Sequence, residues 1–225
     1  MKHIRYLVVV FSIVLMGCMY TEGILELKGK TLDEKTNVPI PNRKIIVHAM
    51  VENNDKYIPT YAGEFFTDSL GCFAYTLRKV KTVYLYDFAV VGDTAYAFSN
   101  NKIDLAVLNQ YGKFLSFKLR KLADLTIKID RKSKTSFRDT LYVSWVSDGV
   151  NGEILYPYQI ENYGITADMA LRWIGGDVKS VIKTKVYADK KTIVYWELFR
   201  KGRPREIIDT IFCKRNVANS LYFKY

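Results

Sequence analysis

From Gly23 onward the chain is written in short runs that alternate apolar with polar side chains and break at Asn, Asp, Gly or Pro. A β-strand can bury such a run on one face, whereas an amphipathic helix needs a period near 3.6 residues. Ile24-Leu25-Glu26-Leu27-Lys28-Gly29 alternates, Arg43 to Val51 is rich in β-branched residues, and Cys72 to Arg78 alternates again. Thr82 to Val91, Ala95 to Phe98, Ile103 to Leu108 and Phe114 to Leu119 continue the series. Between them lie turn residues: Asp33 to Asn42 with Pro39 and Pro41, Asn53-Asn54-Asp55, Thr67-Asp68-Ser69-Leu70-Gly71, and Ser99-Asn100-Asn101. Short strands at this spacing predict an all-β chain built as a β-sandwich or barrel.

Length and pattern divide the chain. With 225 residues and 49% hydrophobic content, there is material for two cores. A boundary is expected near Lys121 to Asp124, giving a first sandwich over 24–121 and a second over 122–225. Strands of the second are expected at 125–130, 139–147, 178–188, 191–200, 205–213 and 221–225, with hairpin turns at 188–191 and at Lys201-Gly202-Arg203-Pro204. An immunoglobulin- or fibronectin-like sandwich is the expectation there, with Trp145 as its buried aromatic. Residues 148–177 are the least regular, and within them Thr166 is placed to cap a short helix over 167–174 that ends at Gly175-Gly176. The two halves share no obvious sequence repeat.

Two resemblances add to this. Lys2, His3 and Arg5 open a leader whose apolar stretch, Tyr6 to Met16, is well short of the roughly 20 residues that a membrane-spanning helix needs. It closes on Leu15-Met16-Gly17-Cys18, which resembles the lipobox of bacterial lipoproteins. The resemblance implies removal of residues 1–17, lipidation of Cys18, a short tether over 18–23 and attachment to a lipid bilayer. Met19 to Gly23 bring no aspartate next to Cys18, which by resemblance to the sorting rule of enterobacterial lipoproteins implies the outer membrane. They also bring no acidic cluster of the kind tied to surface export, which implies its periplasmic face. Secondly, Gly29 to Val47, with its Asp33…Thr36…Pro39 turn, followed by Thr67-Asp68-Ser69-Leu70-Gly71-Cys72-Phe73, resembles the carboxypeptidase-regulatory-like, transthyretin-like β-sandwich of Bacteroidetes-like lipoproteins. That family implies a transthyretin-like first domain without catalytic residues. Pro41-Asn42-Arg43 departs from its usual small residues before the second strand. Asp68 is expected to cap its own turn.

The chain carries a formal net charge of +11, and loss of Lys2 and Arg5 leaves 32 basic against 23 acidic residues. Such a balance suits anionic envelope surfaces, and at this address nucleic acid is excluded as a partner. The charges are dispersed, with Lys128, Arg131, Lys179, Lys183, Lys185, Lys190 and Lys191 alternating with Val, Ile and Tyr as on solvated strand faces. After processing, Cys72 and Cys213 are the remaining thiols and form no disulfide framework. His48 is the sole mature histidine, so no cluster with metal-ligand spacing exists and any Ser-His-Asp or Cys-His arrangement would have to be built on it; no Gly-x-Ser-x-Gly pattern occurs. No catalytic residue, metal or cofactor is expected.

The expectation is therefore a non-catalytic, membrane-anchored module that meets an envelope protein through a strand edge or the loops at one end. The alternative is a glycan-binding module using Tyr156, Tyr158, Tyr163 and Trp173, with Asn151, Glu153, Gln159, Glu161 and Asn162 as hydrogen-bonding neighbours. Those aromatics either stack on sugar faces or cover the end of the second core.

Overall fold

The computed structural model describes residues 21–53, 56–80, 82–110, 114–131, 139–148, 152–162, 164–167, 170–175 and 177–224. Cys18, Asn151 and Tyr163 lie outside the described residues. The chain divides into two compact units: 21–93 with 98–119, and 94–97 with 120–224.

The first unit is a two-layer sandwich. Its elements are β1 (Thr21–Asp33), β2 (Lys44–Asn53), β3 (Lys56–Phe66), β4 (Cys72–Val80), β5 (Val83–Val90), β6 (Ser99–Asp104), helix α1 (Leu105–Gln110) and β7 (Phe114–Leu119). One sheet runs β4-β1-β7, with β7 parallel to β1, and the other runs β3-β2-β5-β6. Alternation makes the layers: Leu25 and Leu27 of β1, Ile45 and Val47 of β2, and Tyr86 and Phe88 of β5 are buried, while Glu26 and Lys28 face out. Phe73 stacks on Phe117 with ring centroids 5.6 Å apart, and Phe117 meets Phe88 at 5.5 Å across the layers.

The residues that carry the transthyretin-like resemblance meet in space. Asp68 Oδ1 accepts hydrogen bonds from the Leu70 and Cys72 amides, both at 2.8 Å, so it caps its own turn as expected. Gly71 adopts φ +73°, and a Cβ there would lie 3.0 Å from the Ile40 carbonyl oxygen. Thr31, fully buried, donates its amide to the Gly71 carbonyl at 2.9 Å and its hydroxyl to the Ile40 carbonyl at 2.5 Å. Asp33 Oδ1 accepts from the Lys35 and Thr36 amides, closing the Asx-type turn before Pro39. At Gly29 any side chain would collide with the Leu115 backbone and the Phe73 ring.

The second unit holds β8 (Leu122–Arg131), β9 (Thr140–Ser147), β10 (Pro157–Glu161), β11 (Ile165–Ala167), β12 (Ala170–Ile174), β13 (Val178–Tyr187), β14 (Lys190–Arg200), β15 (Arg203–Cys213) and β16 (Asn219–Lys224). Its sheets are β10-β13-β8-β16 and β11-β12-β9-β14-β15, with β16 parallel to β8. Apart from the added strands β10 and β11, the order is that of the first unit. In each, the first strand lies between the fourth and a parallel last strand, and the second lies between the third and fifth with the sixth at the edge. Leu125, Ile127, Leu141, Val143, Trp145, Trp173, Val194 and Trp196 build this core. Trp145 is buried as expected, and Trp196 stacks on Phe223 at 4.2 Å.

Both units are thus the all-β sandwiches that the alternation implied, and four local expectations need correction. Residues 167–174 form no helix: β12 pairs with β9, and period-two burial of Leu171 and Trp173 against exposed Ile174 fits a strand on the core. The 103–108 run splits into the end of β6 and helix α1, where Asp104 Oδ1 accepts from the Ala106 amide at 2.6 Å. Residues 95–98 form no strand, and contribute an isolated bridge from Tyr96 to Lys121. The 188–191 turn joins β13 to β14, which belong to different sheets, so it is a corner. The other expected hairpin is present: Arg200 pairs with Arg203 around Lys201 and Gly202, at φ 50° and 74°, the backbone of a type I′ turn.

Candidate functional site

Of the four proposed sugar-stacking aromatics, the three described ones separate. Tyr156 is 77% exposed and Tyr158 is 56% exposed, just before and within edge strand β10. Trp173 does not join them. It is buried in the core of the second unit, its indole N–H donates to the Asn162 carbonyl at 3.0 Å, and Gly164 lies against its ring. No face of that indole is open to a sugar. The polar neighbours also have other work: Asn162 Nδ2 donates to the Lys179 carbonyl at 2.8 Å, and Glu153 is held by Arg120 and Tyr187.

Around Tyr158 the fold brings together residues distant in sequence. Its hydroxyl donates to Asp124 Oδ1 at 3.0 Å, and Lys185, directly opposite Asp124 in the β8–β13 ladder, reaches the same oxygen at 2.8 Å. The Lys185 ammonium lies 5.9 Å from the Tyr158 ring centroid. The Lys185 hydrogen bond is the main cause holding the Asp124 carboxyl below its usual range, and desolvation followed by Asp124 raises the Tyr158 phenol. Asp124, Lys185 and Lys121 line a groove of about 460 Å³ whose floor includes Ala123 and Val217. Asp124 and Lys185 were invisible as a pair in the sequence, because only the register of β8 against β13 makes them neighbours.

The loop before β10 is pinned from beneath. Trp145 Nε1 and Thr184 Oγ1 both donate to the Leu155 carbonyl, at 2.9 and 3.1 Å. Tyr187, almost fully buried, donates its hydroxyl to Glu153 Oε2, while the Arg120 guanidinium lies 3.9 Å over the Tyr187 ring and donates to Glu153 Oε1 at 2.8 Å. The Tyr187 hydrogen bond is the largest cause lowering the Glu153 pKa, and burial is the largest raising that of Tyr187.

Edges and exposed apolar residues are the other candidate surfaces. In the first unit β3 exposes Tyr57, Ile58 and Tyr61, but Pro59 interrupts its amides and the register slips beside Gly63. β3 and β4 also flank one another, with Phe65 stacked on Tyr75 at 4.4 Å. β6, β7 and β16 have six residues each, β10 pairs irregularly and β11 has three. β15 differs. Its 11 residues pair with β14 in unbroken register, and along its outward face Ile208 and Phe212 are 56% and 51% exposed. Cys72 is an exposed free thiol and Cys213 a buried one. Among the described residues no group of three His, Cys, Asp or Glu side chains is placed to hold a metal ion, and no helix is long and apolar enough to cross a membrane.

No protein-family model matches the chain, and no curated protein matches it. Among solved structures, the minor pilin GBS52 of Streptococcus agalactiae is similar at 12% identity, with 89% of this chain and 95% of that chain covered and a TM-score of 0.40. The shaft pilin SpaA of Lactobacillus rhamnosus GG is similar at 10% identity over 92% of this chain and 98% of that chain, with a TM-score of 0.32. Likeness at this level carries nothing into the functional reading below.

Proposed function

We propose that this chain is a non-catalytic, lipid-anchored module of the bacterial cell envelope that works by docking a protein strand onto the free edge of β15. The observation that carries the docking is the edge itself. Unpaired N–H and C=O groups on a long, regular strand are a template for another strand, and proteins usually blunt such edges with proline, bulges or short length. β3 has a central proline and a bulge, and the remaining edges are short, irregular or flanked; β15 carries a proline only at its second residue, Pro204, and from Arg205 to Cys213 has none of these guards. The anchor rests on the Leu15-Met16-Gly17-Cys18 motif, and the carboxypeptidase-regulatory-like kinship of the first unit on Gly29 within β1 and on the Asp33, Asp68 and Gly71 turns. The absence of aspartate after Cys18 supports the outer membrane, and the absence of an acidic cluster over Met19 to Gly23 supports its periplasmic face.

Two measurements test this reading. Cys18→Ser is expected to move the chain from the membrane fraction to the soluble fraction, and its retention in the membrane would refute the lipid anchor. A photo-crosslinking amino acid at Thr210 is expected to give a discrete adduct in intact envelopes, whereas one at Thr76 of β4 gives none; equal adducts at both would refute a specific edge.

A second reading is favoured by the groove beside Tyr158. An exposed aromatic face next to the Asp124 carboxylate and two lysines can stack on a sugar ring and bond its hydroxyls. Tyr158→Ala and Asp124→Ala should then abolish retention on the glycan that the native chain binds, and absence of any binding on a glycan array would remove this reading.

A further inference from the structure

We infer that the strand docked on β15 is β15 of a second copy of this chain, paired antiparallel about a two-fold axis through Thr210. The inference rests on the proposed edge docking and names its partner. Residues on one face of a sheet can oppose only residues of the same face, so a two-fold pairing must centre on a residue. Even-numbered positions of β15 face outward, whereas Ile207 and Ile211 pack on the core. Centring on Thr210 sets Ile208 opposite Phe212 of the second copy, twice, and Glu206 opposite Lys214, twice. The two most exposed large apolar residues of this edge would cover each other. Every charged pair on the outward face would join opposite signs.

A second observation points to the same register. Within one copy, Glu206 lies directly opposite Glu197 of β14, and neither carboxylate has a hydrogen-bond or ion-pair partner among the described residues. Like charges directly opposed across strands are destabilising. Both line a groove of about 290 Å³ on the outer sheet face, with Tyr142 and Tyr195 beside them. Lys214, exposed and just past the end of β15, is the cation that the register brings to this acidic pair. Centring instead on Asp209 sets Glu206 against Phe212 and opposes two aspartates, and centring on Ile208 sets Glu206 against Thr210. Neither supplies the counter-charge.

The register is tested in the full chain carrying Cys72→Ser, which removes the exposed thiol. Adding Thr210→Cys is expected to give a disulfide-linked dimer on mild oxidation, because position 210 faces itself across the axis. Ile208→Cys alone should give none, and Ile208→Cys with Phe212→Cys should restore the dimer. Separately, Glu206→Lys should lower the native mass from dimer to monomer, and Glu206→Lys with Lys214→Glu should return it to dimer. A Thr210→Cys chain that stays monomeric, or an Ile208→Cys chain that dimerises as well, overturns the inference. If the Thr210 photo-adduct contains a different protein and no disulfide dimer forms, self-pairing falls while edge docking stands; if neither forms, both fall.

Discussion

Single residues hold the first unit in places where no other side chain fits. Gly71 combines a left-handed backbone with close approach to Ile40, and its carbonyl receives the Thr31 amide. An L-residue in that conformation costs about 1–2 kcal/mol, so Gly71→Ala should lower the urea midpoint of the first unit by a matching amount, read by far-ultraviolet circular dichroism. In the second unit Arg131 is not on a solvated strand face as its alternation suggested: it forms an ion pair with Asp139 at 3.0 Å with both side chains wholly buried, and Arg200 Nε lies 3.5 Å from the same carboxylate oxygen. Removing one member of such a pair strands a buried charge. Asp139→Asn is therefore expected to cost about 3–5 kcal/mol. Because all three tryptophans, Trp145, Trp173 and Trp196, lie in the second unit's core, tryptophan fluorescence follows this loss directly.

At the scale of elements, the alternation made most strands legible: β4, β7, β9, β13 and β14 fall within a residue or two of the expected runs. The failures have physical causes. Leu171 and Trp173 bury at period two, but four strand residues after a candidate Thr cap also satisfy a short helix, and only pairing with β9 decides. β3 was hidden because Lys56 to Tyr61 is exposed on both faces and so shows no alternation. Of the candidate site, exposed Tyr156 and Tyr158 were legible, whereas the Asp124–Lys185 neighbourhood depends on a register between strands 61 positions apart. The loop element before β10 makes a pH prediction. Glu153 has a depressed pKa in the folded chain, so its contribution is present above the ordinary carboxylate value and is lost as pH falls through the folded one. Glu153→Gln should flatten the acid limb of the stability profile, measured as unfolding midpoints from pH 6 downward to about 3.

For the whole molecule, the repeated strand order is the feature that sequence did not show. Parallel pairing of first and last strands recurs as β1 with β7 and as β8 with β16, although the two halves share no evident motif. A sandwich requires only apolar residues at alternate positions, so the same order can be written with different side chains. The glycine, aspartate and threonine turns of the first unit are replaced in the second by a buried ion pair and a tryptophan-rich core. What the second unit adds is the long β15, free of proline and bulges from Arg205 to Cys213. Amide hydrogen exchange along residues 206–214, in the full chain held in its native membrane, tests the docking most directly. A free edge leaves every second amide unbonded, while the Lys214 amide is already held by Asn219 Oδ1, so protection of consecutive amides from Glu206 to Cys213, lost at alternate positions in Glu206→Lys, is the expected result. Fast exchange of alternate amides in the native membrane would contradict it.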